Sequence, residues 1–350
     1  MRAWIESEWQ RRGGLALLLA PLALAFRLAV ALRRALYRAG AFPRWRAPVP
    51  VVVVGNITVG GTGKTPLVIA IVEALERRGR HPGVVARGYG RVPPTEHDPA
   101  GVVRVYPGVA TPEHFGDEPV LIARRCNVPV YISPDRPAAA RALLAAHPEV
   151  DVIVSDDGLQ HYALERDLEL AVVDAERRFG NGLMLPAGPL REPVSRLAEV
   201  DAVVMNGGWS DTVPGPRRFA MQLGRERFVA FAGGAEAPPE AFALAARGRR
   251  VAAVAGIGHP ARFFTQLARL GVDAEPHAFA DHFAFRPADL RLPGAELVVM
   301  TEKDAVKCAA FADQRMWFLR VEAILPPDFE DFLLSRLAAA SPSAHGSQAA

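Results

Sequence analysis

The chain has 350 residues, half of them apolar and 23% charged, with a net charge of only +3. This composition predicts a folded, well-cored protein that is long enough for two domains. The two cysteines, Cys126 and Cys308, lie too far apart and are too few to build a disulfide framework, which indicates a reducing, cytosolic compartment. No Cys/His cluster has the spacing of zinc ligands, so the sequence predicts no zinc site.

The first 45 residues are basic and apolar. Eight arginines and no acidic residue lie between Glu8 and Glu73. The apolar run from Leu15 to Phe26 is shorter than the ~20 residues that span a bilayer, and Arg27 interrupts it. The segment lacks the small-residue cleavage site that a signal peptide would have, so a cleaved signal peptide is not predicted. The segment 1–45 therefore predicts an amphipathic helix that lies on the cytoplasmic face of a membrane; the alternative is a helix packed on the protein's own core or on a partner.

Those arginines are embedded in an apolar helix and form no open basic face, so we predict no nucleic-acid binding.

Prolines at 43, 48 and 50 mark a linker, and the apolar strand VVVV follows it. Further apolar runs (PGVVA, VPVYI, VDVIVSDD, LELAVVD and DAVVMN) alternate with helical or loop stretches. Uniformly apolar strands separated by helices predict a parallel sheet covered on both faces, over residues 46–215.

A second, smaller α/β domain is predicted over residues 216–338. RRFAMQL and FVAFAG are interpreted as a paired, extended connector. RVAAVAGIGHPARFF then has the pattern of a strand, a glycine turn and a helix, and AELVVM and MWFLRVEAIL supply further strands. The last segment, 339–350, lacks apolar periodicity and predicts a disordered tail.

The stretch TVGGTGKT follows the strand VVVV and precedes a helix with apolar residues on one face. It matches the phosphate-binding P-loop G-x-x-x-x-G-K-[ST], except that Thr58 replaces the first glycine. Backbone N–H groups of such a loop converge on phosphate oxygens at the helix N-terminus. The predicted nucleotide-binding residues are Thr58, Val59, Gly60, Gly61, Thr62, Gly63, Lys64 and Thr65. Lys64 is expected at the β- and γ-phosphates and the Thr65 hydroxyl on Mg²⁺.

A P-loop needs an acidic partner at the end of a neighbouring strand, and VDVIVSDD ends in Asp156 and Asp157. Either carboxylate is suited to hold Mg²⁺ or its water. The alternative is that the paired aspartates only cap a turn. ATP-dependent enzymes and nucleotide switches share all these features.

Taken together, the motifs closely resemble those of the tetraacyldisaccharide 4′-kinase family of lipid A biosynthesis. The matching pieces occur in the family's order: GNITVGGTGKTP, VARGYGR, FGDEP, SDDGLQH, FGNGLMLPAGPLREP, GIGHPARFF, ADHFAF and MTEKDAVK. The resemblance implies ATP-dependent phosphorylation, with Mg²⁺, of the 4′-hydroxyl of a lipid-linked glucosamine disaccharide 1-phosphate. It explains Thr58, because that family's P-loop carries threonine there. It also implies work at the cytoplasmic face of the inner membrane, with no obligate protein partner evident.

The resemblance further implies roles for individual residues. Asp117 of FGDEP is expected to be the catalytic base, with His282 of ADHF as its partner. Glu192 is expected to help with the metal. The expected contacts with substrate or phosphate are Arg87, Tyr89, Arg91, Gln160, His161 and Arg191. Without the resemblance, His282 would be interpreted as a surface or structural histidine, and Arg191 and Glu192 as solvated loop charges.

MTEKDAVK also resembles, weakly, the base-reading N-K-x-D pattern of nucleotide switches, and with GIGHP it predicts contacts to adenine. Two other functions are compatible with parts of the sequence. A membrane-recruited P-loop switch would use nucleotide to control a partner. A soluble small-molecule kinase would keep its activity after deletion of residues 1–40.

Overall fold

The structure, a computed structural model, describes residues 7–88, 101–108 and 110–340. The chain forms two compact units. The first combines Met1–Arg87, Asp135–Gln222 and Ile324–Ala350, and the second combines Gly88–Pro134 and Leu223–Ala323. The units therefore interleave along the sequence, whereas the predicted boundaries at 45, 215 and 338 cut the chain into consecutive pieces; those boundaries stay a prediction.

The N-terminal helix α1 (Gly14–Arg38) belongs to the first unit. It continues through Arg27, because a single arginine interrupts an apolar run without interrupting backbone hydrogen bonding. By length and composition alone it is long and apolar enough to cross a membrane, and 11% of its most apolar window is buried. The less exposed residues form one stripe with spacings of three and four: Ala16, Leu19, Ala23, Phe26, Val30, Arg34 and Tyr37.

The core of the first unit is a parallel sheet in the order β8-β7-β6-β1-β5-β2. Its strands are β1 (Val51–Gly55), β2 (Pro82–Ala86), β5 (Val152–Asp156), β6 (Leu168–Asp174), β7 (Ala202–Asn206) and the first part of β8 (Arg218–Ala230). Its other helices are α2 (Lys64–Arg77), α5 (Arg136–Ala146) and α9 (Pro327–Ala340). Strands β1, β2, β5, β6 and β7 are buried along their whole length, which confirms the predicted P-loop α/β sheet covered on both faces.

The second unit has its own sheet, in the order β11-β10-β12-β13-β8, with β9 on β8. The strands are β9 (Glu236–Ala237), β10 (Val251–Ala255), β11 (Glu275–Ala278), β12 (Leu297–Thr301) and β13 (Met316–Ile324). Strands β3 (Val103–Val105) and β4 (Val130–Ile132) form an antiparallel pair. The helices are α3 (Pro112–Phe115), α4 (Asp117–Cys126), α6 (Pro239–Ala246), α7 (Pro260–Arg269) and α8 (Glu302–Cys308). This is the second α/β unit that the sequence predicts.

Two local predictions are wrong. RRFAMQL and FVAFAG do not pair with each other, because most of RRFAMQL and the first half of FVAFAG lie in the same continuous strand, β8 (Arg218–Ala230). Helix α9 continues to Ala340, two residues into the predicted disordered tail, because Leu333 and Leu337 bury the face of its last turns. Residues 341–350 lie outside the described part of the chain.

Strand register decides which loops meet in each unit. Val54 of β1 stands beside Asp156 of β5, so the P-loop after β1 and the aspartates after β5 leave the sheet at adjacent points. In the second unit, Val254 of β10 stands beside Met300 of β12, so Gly256 and the start of α8 are neighbours as well. Parallel strands present their carboxyl ends at one edge, where ligand sites of α/β folds lie.

Candidate active site

The first half of the P-loop is extended rather than tightly turned. Thr58 forms an isolated antiparallel bridge with Leu190, and the Val59 N–H donates to the Pro189 carbonyl at 2.8 Å. The left-handed backbone falls on Gly60 (φ 97°) and Gly63 (φ 93°) instead. Threonine is therefore sterically acceptable at position 58, because an extended residue has no need of a glycine.

Two asparagines that the sequence did not single out brace the loop. Asn56 is fully buried, and its amide donates to the Thr62 hydroxyl at 3.1 Å. Asn206, at the end of β7, donates to the Thr62 carbonyl at 3.0 Å. A Cβ on Gly63 would lie 2.4 Å from the Asn206 side-chain nitrogen, so the loop and its brace fit only around glycine. The only signal in the sequence was their place at strand ends.

Lys64 begins α2, and its ammonium lies 3.5 Å from the Asp157 carboxylate. Arg191 reaches the same carboxylate with two hydrogen bonds, of 2.9 and 3.1 Å. Burial alone would raise the pKa of Asp157, but Lys64 and Arg191 hold it well below its usual range. Arg191 therefore forms an ion pair with Asp157. The Asp157 carboxylate, one of the two predicted acidic partners of the P-loop, also lies beside the P-loop lysine.

Asp156 ends β5 and is buried, and its backbone carbonyl accepts a hydrogen bond from Arg136 at 3.2 Å. Thr65 is the second residue of α2. Two carboxylates and a hydroxyl are the hard oxygen donors that Mg²⁺ prefers. Within the described ranges, no group of three or more His, Cys, Asp or Glu side chains could hold a metal by itself. This donor set fits Mg²⁺, which takes one or two carboxylates and shares the rest of its coordination with phosphates and water.

The surroundings of Glu192 give no support to its predicted metal role. The residue is fully buried, Tyr162 donates to one carboxylate oxygen, and Gln160 donates to the other at 3.0 Å. Arg34 and Arg196 each approach within 3.9 Å. Both oxygens already have protein partners, so the geometry makes Glu192 the centre of a buried polar network. Gln160 also donates to the Asn56 carbonyl at 3.0 Å and so belongs to this network.

Two more of the predicted substrate residues, Arg87 and His161, lie within the described part of the chain, in a region of positive charge. Burial, and then the charges of Arg136 and Arg87, lower the pKa of His161 to about 3, so its imidazole is neutral at physiological pH. Arg136 is itself buried, whereas Arg87 is exposed just after β2. Tyr89 and Arg91 lie outside the described residues.

The second unit brings together Asp117 and His282, which are 165 positions apart. Asp117 is the first residue of α4, behind the left-handed Gly116, and its Oδ2 lies 3.0 Å from His282 Nδ1. The His282 backbone is also left-handed (φ 59°), and its N–H donates to the Gly256 carbonyl at 3.2 Å. Burial raises the pKa of Asp117, but the His282 hydrogen bond, Lys307 and Lys303 together lower it below its ordinary value.

GIGHP and TEKD both border this pair, which the sequence did not indicate. Gly256 of GIGHP donates its N–H to Asp304 Oδ2 at 2.9 Å, and Lys307 lies 2.6 Å from Asp304 Oδ1. Lys303 donates to Glu118, the neighbour of Asp117, at 3.2 Å. The adenine contacts stay a prediction. Sequence reasoning missed Asp304 and Lys307, although their i, i+3 spacing in MTEKDAVK was a usable signal.

A comparison with known protein families shows to which family the chain belongs. The model of the family described as LpxK, tetraacyldisaccharide-1-P 4′-kinase, matches residues 15–338. The chain belongs to this family. Named tetraacyldisaccharide 4′-kinases are similar to it over nearly their whole length. The one from Azoarcus sp. strain BH72 is 51% identical over 97% of this chain and 96% of its own. The one from Bordetella parapertussis is 48% identical over 98% of each chain.

A solved member of the tetraacyldisaccharide-1-P 4′-kinase family has a similar fold. The crystal structure of LpxK from Aquifex aeolicus in complex with ATP superposes with a TM-score of 0.75. It is 27% identical in sequence, and the match covers 92% of this chain and 99% of that one. The fold and kinase activity predicted from the sequence are thus confirmed, as is the use of ATP.

Proposed function

We infer that this protein transfers the γ-phosphoryl group of ATP to the 4′-hydroxyl of tetraacyldisaccharide 1-phosphate, a step of lipid A biosynthesis. The observation that carries this function is the family match over residues 15–338. The brace around the P-loop and the 3.0 Å contact of Asp117 with His282 supply groups that this reaction requires.

The P-loop binds the triphosphate. Its backbone N–H groups and the N-terminus of α2 face the phosphate oxygens, and Lys64 compensates the charge that develops on the transferred group. Asp157 holds the Lys64 ammonium at the mouth of the loop, 3.5 Å away. Thr65 and one of Asp156 and Asp157 would hold Mg²⁺, which when bound neutralises phosphate charge and orients the phosphates.

Asp117 is the general base. The 4′-oxygen forms a bond to the γ-phosphorus, the bond from that phosphorus to the β-γ bridging oxygen breaks, and Asp117 receives the hydroxyl proton. His282 fixes Oδ2 at 3.0 Å. Within the described part of the chain, Oδ1 receives no hydrogen bond, which makes it the oxygen suited to accept the proton. The lowered pKa keeps the carboxylate ionised at neutral pH.

The positive region of the first unit suits the substrate's 1-phosphate. Arg87 is exposed beside the neutral His161, and a guanidinium binds phosphate through two parallel hydrogen bonds. Tyr89 and Arg91 belong to the same VARGYGR motif, and we assign them to this phosphate as well.

Helix α1 holds the protein at the cytoplasmic face of the inner membrane. Six of its leucines are 57–75% exposed: Leu17, Leu18, Leu22, Leu24, Leu28 and Leu32. Arginines on the same helix, such as Arg27 and Arg33, favour acidic headgroups, and an apolar helix face with basic residues suits the membrane interface. No obligate protein partner is part of this proposal.

The test is a kinase assay with purified protein, ATP, Mg²⁺ and tetraacyldisaccharide 1-phosphate in mixed micelles, followed by mass analysis of the lipid. We expect one added phosphate, a large loss of rate in Lys64→Ala, and in Asp117→Asn a fall in turnover with little change in ATP affinity. Hydrolysis of ATP without a phosphorylated lipid would refute the kinase and favour the nucleotide switch. Equal losses of turnover and ATP affinity in Asp117→Asn would remove its role as base.

A further inference from the structure

Lysine is rare in this chain. Of 41 lysines and arginines, only three are lysines: Lys64, Lys303 and Lys307. Lys64 belongs to the P-loop, and the other two lie on the short helix α8, one turn apart. A chain that uses arginine almost everywhere else keeps lysine at three places, which points to sites where a compact ammonium fits and a planar guanidinium does not.

The Lys307 ammonium is enclosed by fixed partners. Its side chain is 3% exposed, and Nζ lies 2.6 Å from Asp304 Oδ1 and 3.4 Å from the Gly256 carbonyl. The ring of Phe285 covers it, with the ring centroid 5.1 Å from Nζ. A buried ammonium is tolerated only where a counter-charge and hydrogen-bond acceptors surround it, and these groups provide both.

Asp304 is fixed in turn by its own helix end. It is fully buried, and its Oδ2 accepts hydrogen bonds from the Gly256 N–H at 2.9 Å and from the Thr301 hydroxyl at 2.6 Å. The Thr301 hydroxyl also caps α8 by accepting from the Asp304 N–H at 3.1 Å. A Cβ on Gly256 would approach Asp304 Oδ1 to 3.0 Å, so the Asp304–Lys307 pair has little freedom to move.

The same ammonium faces the proposed base. Lys307 Nζ lies 3.9 Å from Asp117 Oδ2, the oxygen that His282 also contacts. The longer distance means that Lys307 acts on Asp117 by charge rather than by a hydrogen bond, and that it keeps its closer partner, Asp304, when Asp117 takes up a proton.

Other charged groups also face Asp117 or its neighbours. Glu118 follows it on α4, Asp281 adjoins His282 at 3.8 Å, and Lys303 donates to Glu118 from α8. Among the two α8 lysines, Lys303 therefore has its own carboxylate partner on α4, whereas Lys307 is the one that approaches Asp117 Oδ2 directly.

We propose that Lys307, held by Asp304, is a positioning residue for the catalytic base: it keeps Asp117 ionised and turns Oδ2 inward so that Oδ1 faces the substrate hydroxyl. This inference rests on the proposed role of Asp117. Neither Lys307 nor Asp304 touches a reacting atom. Loss of the ammonium raises the pKa of Asp117, because a positive charge within ~4–6 Å stabilises the carboxylate form.

The experiment measures the proton affinity of Asp117 directly and through catalysis. In Lys307→Met, we expect the acid limb of the pH profile of kcat/KM to move upward by about one pH unit or more, with the KM for ATP little changed. The carboxyl ¹³C NMR signal of Asp117, assigned by its absence in Asp117→Asn, should titrate at a pH raised by the same amount. Lys307→Arg keeps the charge but places a larger guanidinium in the same pocket, so the Asp117 titration should move less than it does in Lys307→Met.

Matched variants keep the result interpretable. Lys307→Met leaves Asp304 buried without its cation, so the double variant Lys307→Met/Asp304→Asn removes both charges and should fold while still showing the shift. Lys303→Met removes a charge from the same helix and should move the acid limb less. An Asp117 titration that is unmoved in the single and double variants, or that moves equally in Lys303→Met, overturns the proposal.

The two hypotheses fail differently. If Asp117→Asn keeps full kinase activity, Asp117 is not the base, but the ¹³C titration in Lys307→Met still decides whether Lys307 holds Asp117 ionised. If Asp117→Asn is inactive and Lys307→Met changes neither the titration nor the acid limb, Asp117 remains supported as the base. The proposed role of Lys307 is then refuted.

Discussion

In the P-loop, Thr58 and Gly63 have different backbone conformations, so the loop accepts a side chain at position 58 but requires glycine at position 63. The bridge to Leu190 keeps Thr58 extended, and its hydroxyl lies 3.4 Å from the Asn56 amide, so a side chain is useful there. Gly63 has a left-handed backbone and lies against Asn206, which leaves no room for a side chain. The glycine requirement of the loop therefore lies at its end, beside the helix, rather than at its start.

Gly63→Ala should destabilise the protein more than Gly61→Ala. At position 63 a Cβ meets Asn206 at 2.4 Å and a backbone with φ 93°, whereas at position 61 nothing lies within 4 Å of it. We expect a loss of ~2 kcal/mol or more for Gly63→Ala, from strain and the lost Thr62 brace, and less than ~1 kcal/mol for Gly61→Ala. Urea unfolding measures both; equal losses would contradict the assigned loop geometry.

His161 predicts an acid-sensitive fold. Its pKa in the folded protein is lowered to about 3, below the ordinary value of 6.5, so the unfolded chain binds more protons between these values. Its contribution to stability is complete above pH ~6.5 and is lost as the pH falls toward 3. In His161→Gln, the free energy of unfolding should depend less steeply on pH between 4 and 6 than in the wild type. An unchanged slope would contradict the burial of this imidazole beside Arg136.

Helix α1 has two different surfaces. The stripe that includes Ala23, Phe26 and Val30 is less exposed, and the last two turns make polar contacts: Arg33 donates to the Gln160 carbonyl at 3.1 Å, and Arg34 contacts Glu199. Six of the leucines outside the stripe are exposed, which is costly in water. One helix thus combines a stripe that packs in the fold with an exposed apolar surface, which we propose binds lipid.

Replacing exposed leucines should separate these two roles. We expect Leu22→Gln/Leu24→Gln/Leu28→Gln to lower partitioning onto anionic phospholipid vesicles more than tenfold, at ~1 kcal/mol per leucine, without loss of stability. Leu244→Gln, on α6, is the matched control, because Leu244 is 66% exposed on an ordinary surface helix. Sedimentation with vesicles measures binding. Equal effects of the two variants would remove the membrane role of α1.

The N-terminal segment is also part of the architecture of the first unit. The Trp9 indole donates to the Pro186 carbonyl at 3.0 Å, and the Arg12 guanidinium donates to the Asn181 carbonyl at 2.9 Å. Further along, Arg34 approaches the buried Glu192 to 3.9 Å. The N-terminal segment is therefore joined to the rest of the first unit by specific polar contacts, unlike a flexible tether.

Deletion of residues 1–40 should lower thermal stability even in detergent, where membrane binding has no effect. The truncation removes these hydrogen bonds and leaves Glu192 with less positive charge around a buried carboxylate, which costs ~1–3 kcal/mol. Scanning calorimetry of the full-length and truncated proteins measures the difference. An unfolding temperature that is unchanged by the deletion would show that α1 is only an anchor.

The sequence by itself determined the features carried by contiguous residues. Three such features could be identified from the sequence: the buried valines of β1, the P-loop glycines before Lys64 and the Asp156–Asp157 pair. They could be identified because strand, turn and helix N-terminus follow one another directly in the chain. The family motifs have the same contiguous character, which is why the activity could be named from them. The fold class followed from the alternation of apolar strands and helices.

Only the tertiary structure decided which distant residues act together. Strand register brings Asn206 to Thr62, and the second unit brings Asp117, His282 and Lys307 together from three separate segments. Folding also places Glu192 in a buried polar network with Gln160 and Tyr162, while its metal role stays a prediction. These outcomes depend on distance, enclosure and local charge, and such quantities arise only when remote parts of the chain pack against each other.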